Sequence, residues 1–350
     1  MAETKTQPLV SIITATYNRA NVLRYAIESV RRQTLADWEL WVVGDACTDD
    51  TAEVVGAAGD PRIHFVNLVQ NVGDQSGPNN EGFRRSRGRF IAYLNHDDLW
   101  FPDHLETAVA ALEETGADLV WPLIVARRSD GVYTCNDLNP ERRYAPHLCV
   151  PASFWVLRRE LVEEVGPWKG HWECHAAPSQ DWLFRAWRAR KDLRYIPRLT
   201  AITLPSGGRP RAYANREFLE NQAVFEQVCH EGFREQVLLA VAEHYAITQS
   251  NPPVWGELRN TVRDLVRRKL APYWGWPRPS QYTSPLSVAV RKKLARLLAA
   301  FGLHPQALEL FLQYRRRGGF IYFLRRFRGL PEKPDPAVRT ETATIGEAPD

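Results

Sequence analysis

An apolar run, Ile91-Ala92-Tyr93-Leu94, leads directly into Asn95-His96-Asp97-Asp98. Adjacent aspartates repel each other unless a cation or solvent absorbs their charge, so carboxylates placed where a buried strand surfaces suit a divalent ion. The alternative is a solvated turn opening the helix that begins near Pro102, since Asn and Asp are ordinary turn and capping residues. The four residues alone do not choose between these. Three other polar clusters carry chemistry-bearing types: Thr14 to Arg19, Gly44 to Thr51, and Pro178 to Trp187, which contains Asp181.

The elements around these clusters explain their spacing. Val10 to Ala15 reads as a short buried strand, followed by Tyr17-Asn18-Arg19 and a helix whose apolar face is Val22, Leu23, Ala26, Ile27 and Val30. Leu40 to Val43 is a second strand ending in Gly44-Asp45-Ala46-Cys47-Thr48-Asp49-Asp50-Thr51, Arg62 to Asn67 a third, and Phe90 to Leu94 a fourth. Strands alternating with helices imply an α/β fold with a mostly parallel sheet covered on both faces. Ligands then bind beyond the carboxyl ends of the strands, where the first two clusters and the Asn95–Asp98 run lie.

The succession Ser11-Ile12-Ile13-Thr14-Ala15-Thr16-Tyr17-Asn18-Arg19, the Gly44–Thr51 cluster, Asn79-Asn80-Glu81-Gly82 and Asn95-His96-Asp97-Asp98 resembles family 2 inverting glycosyltransferases with the GT-A fold. The resemblance covers about residues 8 to 205, and the order of several motifs makes it more specific than any one. It implies transfer of a sugar from a nucleotide-diphosphate-sugar donor to an acceptor hydroxyl, with inversion and metal assistance. Physically, a nucleobase needs a flat slot with edge hydrogen bonds, and Thr14, Thr16, Tyr17 and Arg19 offer hydroxyls, an aromatic ring and a cation. By the family pattern Asp45 accepts a hydrogen bond from the base, and Asn80 and Asn95 complete the donor set. Asp49 and Asp50 are read as caps of the next helix.

The chain departs from the family at three positions. Asn79 stands where an arginine approaches the donor, leaving Arg84, Arg85 and Arg87 as cations of different geometry, though solvated surface arginines are their simpler reading. Asn95 replaces the first aspartate of an Asp-x-Asp metal motif, so the metal ligands are Asp97 and Asp98, with Asp97 preferred, and Mg2+ or Mn2+ as the ion. Gln180 replaces a glutamate in the segment resembling Glu-Asp-Trp. Inverting transfer needs a base opposite the leaving diphosphate, and Asp181 is the candidate, with Ser179 as N-cap placing it in the first helical turn. A mere capping role for Asp181 is the alternative.

Acceptor recognition is assigned to residues 121 to 177. Flat apolar rings match the C–H faces of sugars, and Trp168 and Trp172, in the loop from Gly166 to His175, are the candidates, although core packing is the commoner fate of a tryptophan. Leu193 to Pro205 reads as a last strand. Ser206 to Arg211 reads as a lid whose Arg209 and Arg211 face the diphosphate.

The 350 residues carry a net charge of +4 and 44% apolar residues, enough for one large domain and an appendage. The division read is a flexible 1–7, a GT-A domain over 8–212, a helical region over 213–330 and a disordered tail over 331–350. Basic residues collect late, from Arg291 to Arg328, and Phe311 to Leu330 is a basic amphipathic segment. It either lies on an anionic membrane surface or packs by its aromatic face on the catalytic domain. No nucleic-acid motif accompanies the charge, and no nucleic-acid partner is expected. No stretch reaches about twenty apolar residues and no signal-peptide core opens the chain, so a cytoplasmic protein, soluble or peripheral to the inner membrane face, is expected. Five scattered cysteines fit reduced thiols. The acceptor is a carbohydrate, a lipid-linked sugar or a small molecule. A non-catalytic sugar-nucleotide binder is the competing reading. A nucleotidyltransferase would need a lysine-bearing glycine loop after the first strand, and a dinucleotide oxidoreductase Gly-x-Gly-x-x-Gly there; neither is present.

Overall fold

The computed structural model describes residues 7–128, 130–135, 141–146, 148–204, 211, 213, 219–249, 297–304 and 319–330. The tail over 331–350, the basic residues from Arg291 to Arg317, and Arg209 lie outside them.

A seven-stranded sheet forms the centre, in the order β10-β6-β9-β4-β1-β2-β3. Its strands are β1 (Val10–Thr16), β2 (Trp38–Gly44), β3 (Ile63–Asn67), β4 (Phe90–Tyr93), β6 (Leu119–Trp121), β9 (Val156–Arg158) and β10 (Leu193–Tyr195). Only β9 runs against its neighbours β4 and β6; the other pairings are parallel. Strands β1 to β4 therefore end on one edge. The expected last strand is two: β10 closes this sheet, while β11 (Ala201–Thr203) joins a second sheet in the order β5-β11-β7-β8, with β5 (Leu99–Trp100), β7 (Val125–Arg127) and β8 (Tyr133–Cys135).

Helices α1 (Ala20–Arg31), α2 (Thr51–Ala57), α3 (Ser76–Arg85), α4 (His104–Thr115), α5 (Arg159–Val165) and α6 (Pro178–Arg188) cover the sheet. Helix α1 buries Val22, Leu23, Ala26, Ile27 and Val30, the face its periodicity predicts. Helix α3 lies close on β1, since a Cβ on Gly82 would stand 2.5 Å from Ile13 Cγ2. This steric need explains a glycine within that helix.

The later helices α7 (Leu219–Gln227), α8 (Phe233–Gln249) and α9 (Gly319–Phe327) pack onto this body. The ring of Phe225 lies 5.5 Å from Tyr25 of α1 and under the Arg32 guanidinium. Arg234 pairs with Asp103 at 2.5 Å. Helix α9 sets Tyr322 edge-on against His171 and buries Arg325, so this part of the amphipathic segment packs on the domain, the second of its two alternatives. Among the described residues no helix is long and apolar enough to cross a membrane.

Candidate donor and catalytic site

The loops after β1, β2, β3 and β4 converge because parallel strands deliver their carboxyl ends to one side. Thr14 and Thr16 are buried on β1, and the Thr16 hydroxyl meets no protein partner among the described residues. Tyr17 stands half-buried at the rim, its phenol held above its ordinary pKa first by burial. Arg19 is buried beside it, with its guanidinium 4.9 Å from the centre of the Tyr213 ring. Asp49 does not cap the following helix. Its Oδ2 accepts from the Ala20 amide at 3.1 Å, which opens α1, and its Oδ1 accepts from Thr51. Asp50 holds the N-cap position of α2 without a side-chain capping hydrogen bond.

Asp45 follows β2 and is buried, with Oδ1 accepting the Val72 amide at 2.6 Å and Oδ2 the Gly73 amide at 2.8 Å. Burial pushes its pKa up to about 6, against the two amides and the Arg325 charge, while Asp74 adds to the rise. A carboxylate oxygen has two lone pairs, so each retains one acceptor direction for a base.

The Asn95–Asp98 loop separates its two carboxylates. Asp97 is half-buried, and its main-chain carbonyl accepts from Asn221 of α7 at 2.8 Å. Asp98 is 2% exposed; Oδ2 accepts from Ser153 Oγ at 2.5 Å and Asn95 Nδ2 at 3.0 Å, and Oδ1 from the Leu204 amide at 3.0 Å. Burial, then Asp97, pushes its pKa up to about 7 against these bonds. Asp98 thus ties the chain end of β11 and the turn at Ser153 to the loop. Its oxygens accept from these donors, so Asp98 anchors the loop, and Asp97 remains the preferred ligand of the expected pair. Asn95 belongs to that anchor, because its amide donates where an aspartate would face a second carboxylate. The remaining cation donors here are the Asp97 carboxylate and the Asn95 carbonyl, hard oxygens that suit Mg2+ or Mn2+ once a diphosphate completes the shell. Among the described residues there is no cluster of three or more His, Cys, Asp or Glu arranged for a metal. His96 turns its Nδ1 to Ala15 O at 3.2 Å, and burial first holds its pKa down.

Asn80 also differs from its expected role. Its Nδ2 donates to Trp168 O at 2.9 Å and its Oδ1 accepts the Trp168 amide at 2.8 Å, so it braces the loop after α5 instead of turning to the donor. Asn79 is buried in α3. Arg84 and Arg85 pair with Glu81, and Arg87 lies 3.8 Å from Glu39, which engages all three away from a donor.

Asp181 sits in the first turn of α6, 22% exposed, with Arg185 Nε donating to it at 3.0 Å. Ala177, not Ser179, holds the N-cap, followed by Pro178, and Ser179 is buried. Gln180 is buried and forms a reciprocal pair with the Val150 peptide: Nε2 donates to its carbonyl at 2.9 Å and Oε1 accepts its amide at 3.3 Å. An ionised glutamate could not make the first of these bonds.

Trp168 is the clearest correction. It is 3% exposed, its Nε1 donates to Tyr93 Oη at 3.2 Å, and it packs with Trp155 and Trp182 at centroid distances of 5.4 and 6.4 Å. No sugar reaches that ring. Trp172 is half-buried beside His171. Arg211 is exposed, with its amide donating to Phe327 O at 2.7 Å.

Four residues escaped sequence reasoning. Asp74 and His171 form a buried pair joining the loop before α3 to the loop after α5, and the bonds and charge of His171 outweigh burial to hold the Asp74 carboxyl below its usual range. Asn221 and Arg325 come from far downstream. Long-range partners of this kind leave no local spacing, and only the i, i+3 placement of Tyr322 and Arg325 hinted at a shared face.

Residues 11–166 match the glycosyl transferase family 2 model. Over 206 residues it is 33% identical to the succinoglycan biosynthesis protein ExoO of Rhizobium meliloti, covering 58% of this chain and 57% of that protein. Over 104 residues it is 36% identical to the Escherichia coli UDP-Glc:alpha-D-GlcNAc-diphosphoundecaprenol beta-1,3-glucosyltransferase WfgD, covering 30% of this chain and 41% of that protein. The chain spans about half the length of the curated relatives it matches. Among solved structures it resembles the mannosyltransferase PcManGT from Pyrobaculum calidifontis, in complex with GDP-Man and Mn2+. The TM-score is 0.50 at 16% identity, over 89% of this chain and 88% of that one. S. aureus TarS 1-349 aligns with TM-score 0.50 at 15% identity, over 87% of this chain and 91% of that one. These likenesses establish the GT-A fold.

Proposed function

We propose that this chain is an inverting glycosyltransferase that moves a sugar from a nucleotide-diphosphate-sugar donor to an acceptor hydroxyl, with Asp181 as the general base. The observation that carries this reading is the delivery of Asp45 and Asp97 by strand ends on one edge of a family 2 domain. Asp45 and Tyr17 receive the base. Asp97 and the Asn95 carbonyl would hold Mg2+ or Mn2+, which supplies charge neutralisation to the departing diphosphate. Asp181 takes the acceptor proton at one carboxylate oxygen, with Arg185 fixing the other. Trp172 offers the acceptor a flat face. The relatives' printed names favour a carbohydrate acceptor, lipid-linked in the manner of WfgD.

The test is calorimetric binding of UDP, GDP, CDP and their common sugars, with and without Mn2+, to wild type and Asp97→Ala. Metal-dependent binding of one nucleotide, weakened in Asp97→Ala, is the expected result. Absence of binding across the panel would overturn the reading.

A further inference from the structure

The guanidinium of Arg325, on the C-terminal helix α9, is buried against the loop that grips Asp45. Its Nη1 donates to Gly73 O at 3.1 Å and its Nη2 to Asn71 Oδ1 at 3.4 Å. The same stretch of loop binds Asp45 on its other side: Asn71 Nδ2 donates to the Asp45 main-chain carbonyl at 2.7 Å, and the Val72 and Gly73 amides hold its carboxylate. The loop is thus held from both faces, its N–H groups turned to Asp45 and its oxygens to Arg325. Gly73 has φ +88°, a left-handed conformation that glycine adopts without strain, and a Cβ there would come 3.1 Å from Arg325 Nη1.

The rest of α9 reinforces this grip. One turn earlier Tyr322 sets its ring edge-on to His171, 5.1 Å between centroids, and His171 pairs with Asp74, the next residue of the gripped loop. Residues three apart share a helix face, so both contacts come from one surface of α9. At the helix end, Phe327 O accepts the Arg211 amide and Arg328 O the Tyr213 amide, and the Tyr213 ring covers Arg19. One helix therefore touches the loop after β3, the loop after α5 and the segment near 211–213.

We propose that Arg325 is a positioning residue for the nucleotide pocket, and that α9 is a clasp holding the 71–73 loop in the form that presents Asp45 to the base. This rests on the donor-site reading above. The loop between β3 and α3 has no strand or helix of its own, and ordering such backbone costs entropy that local contacts must offset. Charge-assisted bonds to a carbonyl and a side-chain amide do so from the side opposite the ligand. The groups facing Asp45 are the Val72 and Gly73 amides, the Asp74 carboxylate, the Tyr17 phenol and the Arg325 cation, so Arg325 is the charge there that favours ionised Asp45.

The experiment compares full-length wild type, Arg325→Gln, Arg325→Lys and the exposed control Arg326→Gln. Binding of UDP, GDP and CDP with Mn2+ is measured by calorimetry from pH 5 to 8, with amide hydrogen exchange at residues 72 and 73. Loss of a charged hydrogen bond predicts about tenfold weaker binding in Arg325→Gln. Exchange at 72 and 73 should quicken, and the pH midpoint of binding should move upward. Arg325→Lys should recover part of the affinity, since a point charge reaches one oxygen but does not bridge two. Arg326→Gln should match wild type. If wild type binds a nucleotide and Arg325→Gln binds it equally or more tightly, the clasp is overturned alone. If wild type binds no nucleotide, the donor-site reading falls and the clasp with it.

Discussion

Replacing Asp181 with asparagine separates chemistry from stability. The carboxylate is 22% exposed and bonds to Arg185, which also donates to Val165 O and Pro167 O at 2.7 Å each. Asparagine keeps the shape, and Arg185 keeps two of its anchors. The lost i, i+4 pair is worth about 0.3–0.5 kcal/mol and the lost charge in the first helical turn about 0.3–1 kcal/mol. The fold should therefore lose no more than about 1.5 kcal/mol. An amide does not accept the acceptor's proton, and general-base removal costs about 10²- to 10⁴-fold in rate, or about 2.7–5.5 kcal/mol of barrier. The assay is nucleoside diphosphate released from the bound sugar nucleotide, to water or to an added saccharide, alongside nucleotide affinity and thermal unfolding. The expected outcome is near-wild-type binding, a small fall in Tm and a kcat at least about a hundredfold lower. Turnover within about threefold of wild type would refute Asp181 as the base and leave it a helix-capping charge.

Asp98→Ala strips the shared acceptor from Ser153, Asn95 and the Leu204 amide and should destabilise the protein by about 3 kcal/mol or more, whereas Asp97→Ala should stay within about 1 kcal/mol; urea unfolding of both checks this. Asp45 should give opposite pH trends in stability and binding. Its folded pKa of about 6 exceeds the unfolded value of about 3.9, so its stabilising contribution is complete below about pH 3.9 and is lost as pH rises through about 6, up to about 3 kcal/mol. Nucleotide affinity should climb over the same interval, because the ionised carboxylate is the acceptor. Comparing the pH slopes of wild type and Asp45→Asn, in unfolding and in calorimetry, isolates this group. Trp168→Ala should cost about 3–5 kcal/mol through a core cavity, while Trp172→Ala should change stability by less than about 1 kcal/mol and raise the KM for a saccharide acceptor.

Much of the fold was legible because buried parallel strands write themselves as short apolar runs followed by polar ends. Val10 to Ala15, Leu40 to Val43 and Phe90 to Leu94 all lie in sheet strands whose carboxyl ends share one edge. The Leu193–Pro205 run reads as one strand by its apolar residues, but Pro197 and Arg198 interrupt it between Tyr195 of β10 and Ala201 of β11, which belong to different sheets. Side-chain direction was the harder quantity. Trp168 and Trp172 look alike in sequence, yet Asn80 pins the main chain at Trp168 and turns its ring into the core. Asp97 and Asp98 are likewise adjacent, and only the three-dimensional partners at Ser153 and Leu204 show which one faces inward. Arg325 was seen as one basic residue in an amphipathic segment, since nothing local announces a partner some 250 positions earlier.

The three departures from the family pattern bear on whether the site is degenerate. Each amide now has a place in the packing. Asn95 donates to Asp98, Gln180 both donates to and accepts from the Val150 peptide, and Asn79 is buried within α3. At 95 and 180 an ionised carboxylate would meet another acceptor, an unfavourable contact in a buried setting. These substitutions therefore suit the local packing and remove charge from behind the site, while Asp45, Asp97 and Asp181 keep their carboxylates. A site decaying without constraint would not be expected to place each lost charge where an amide fits the existing partners. The rate of Asp181→Asn relative to wild type decides between a working transferase and a silent binder.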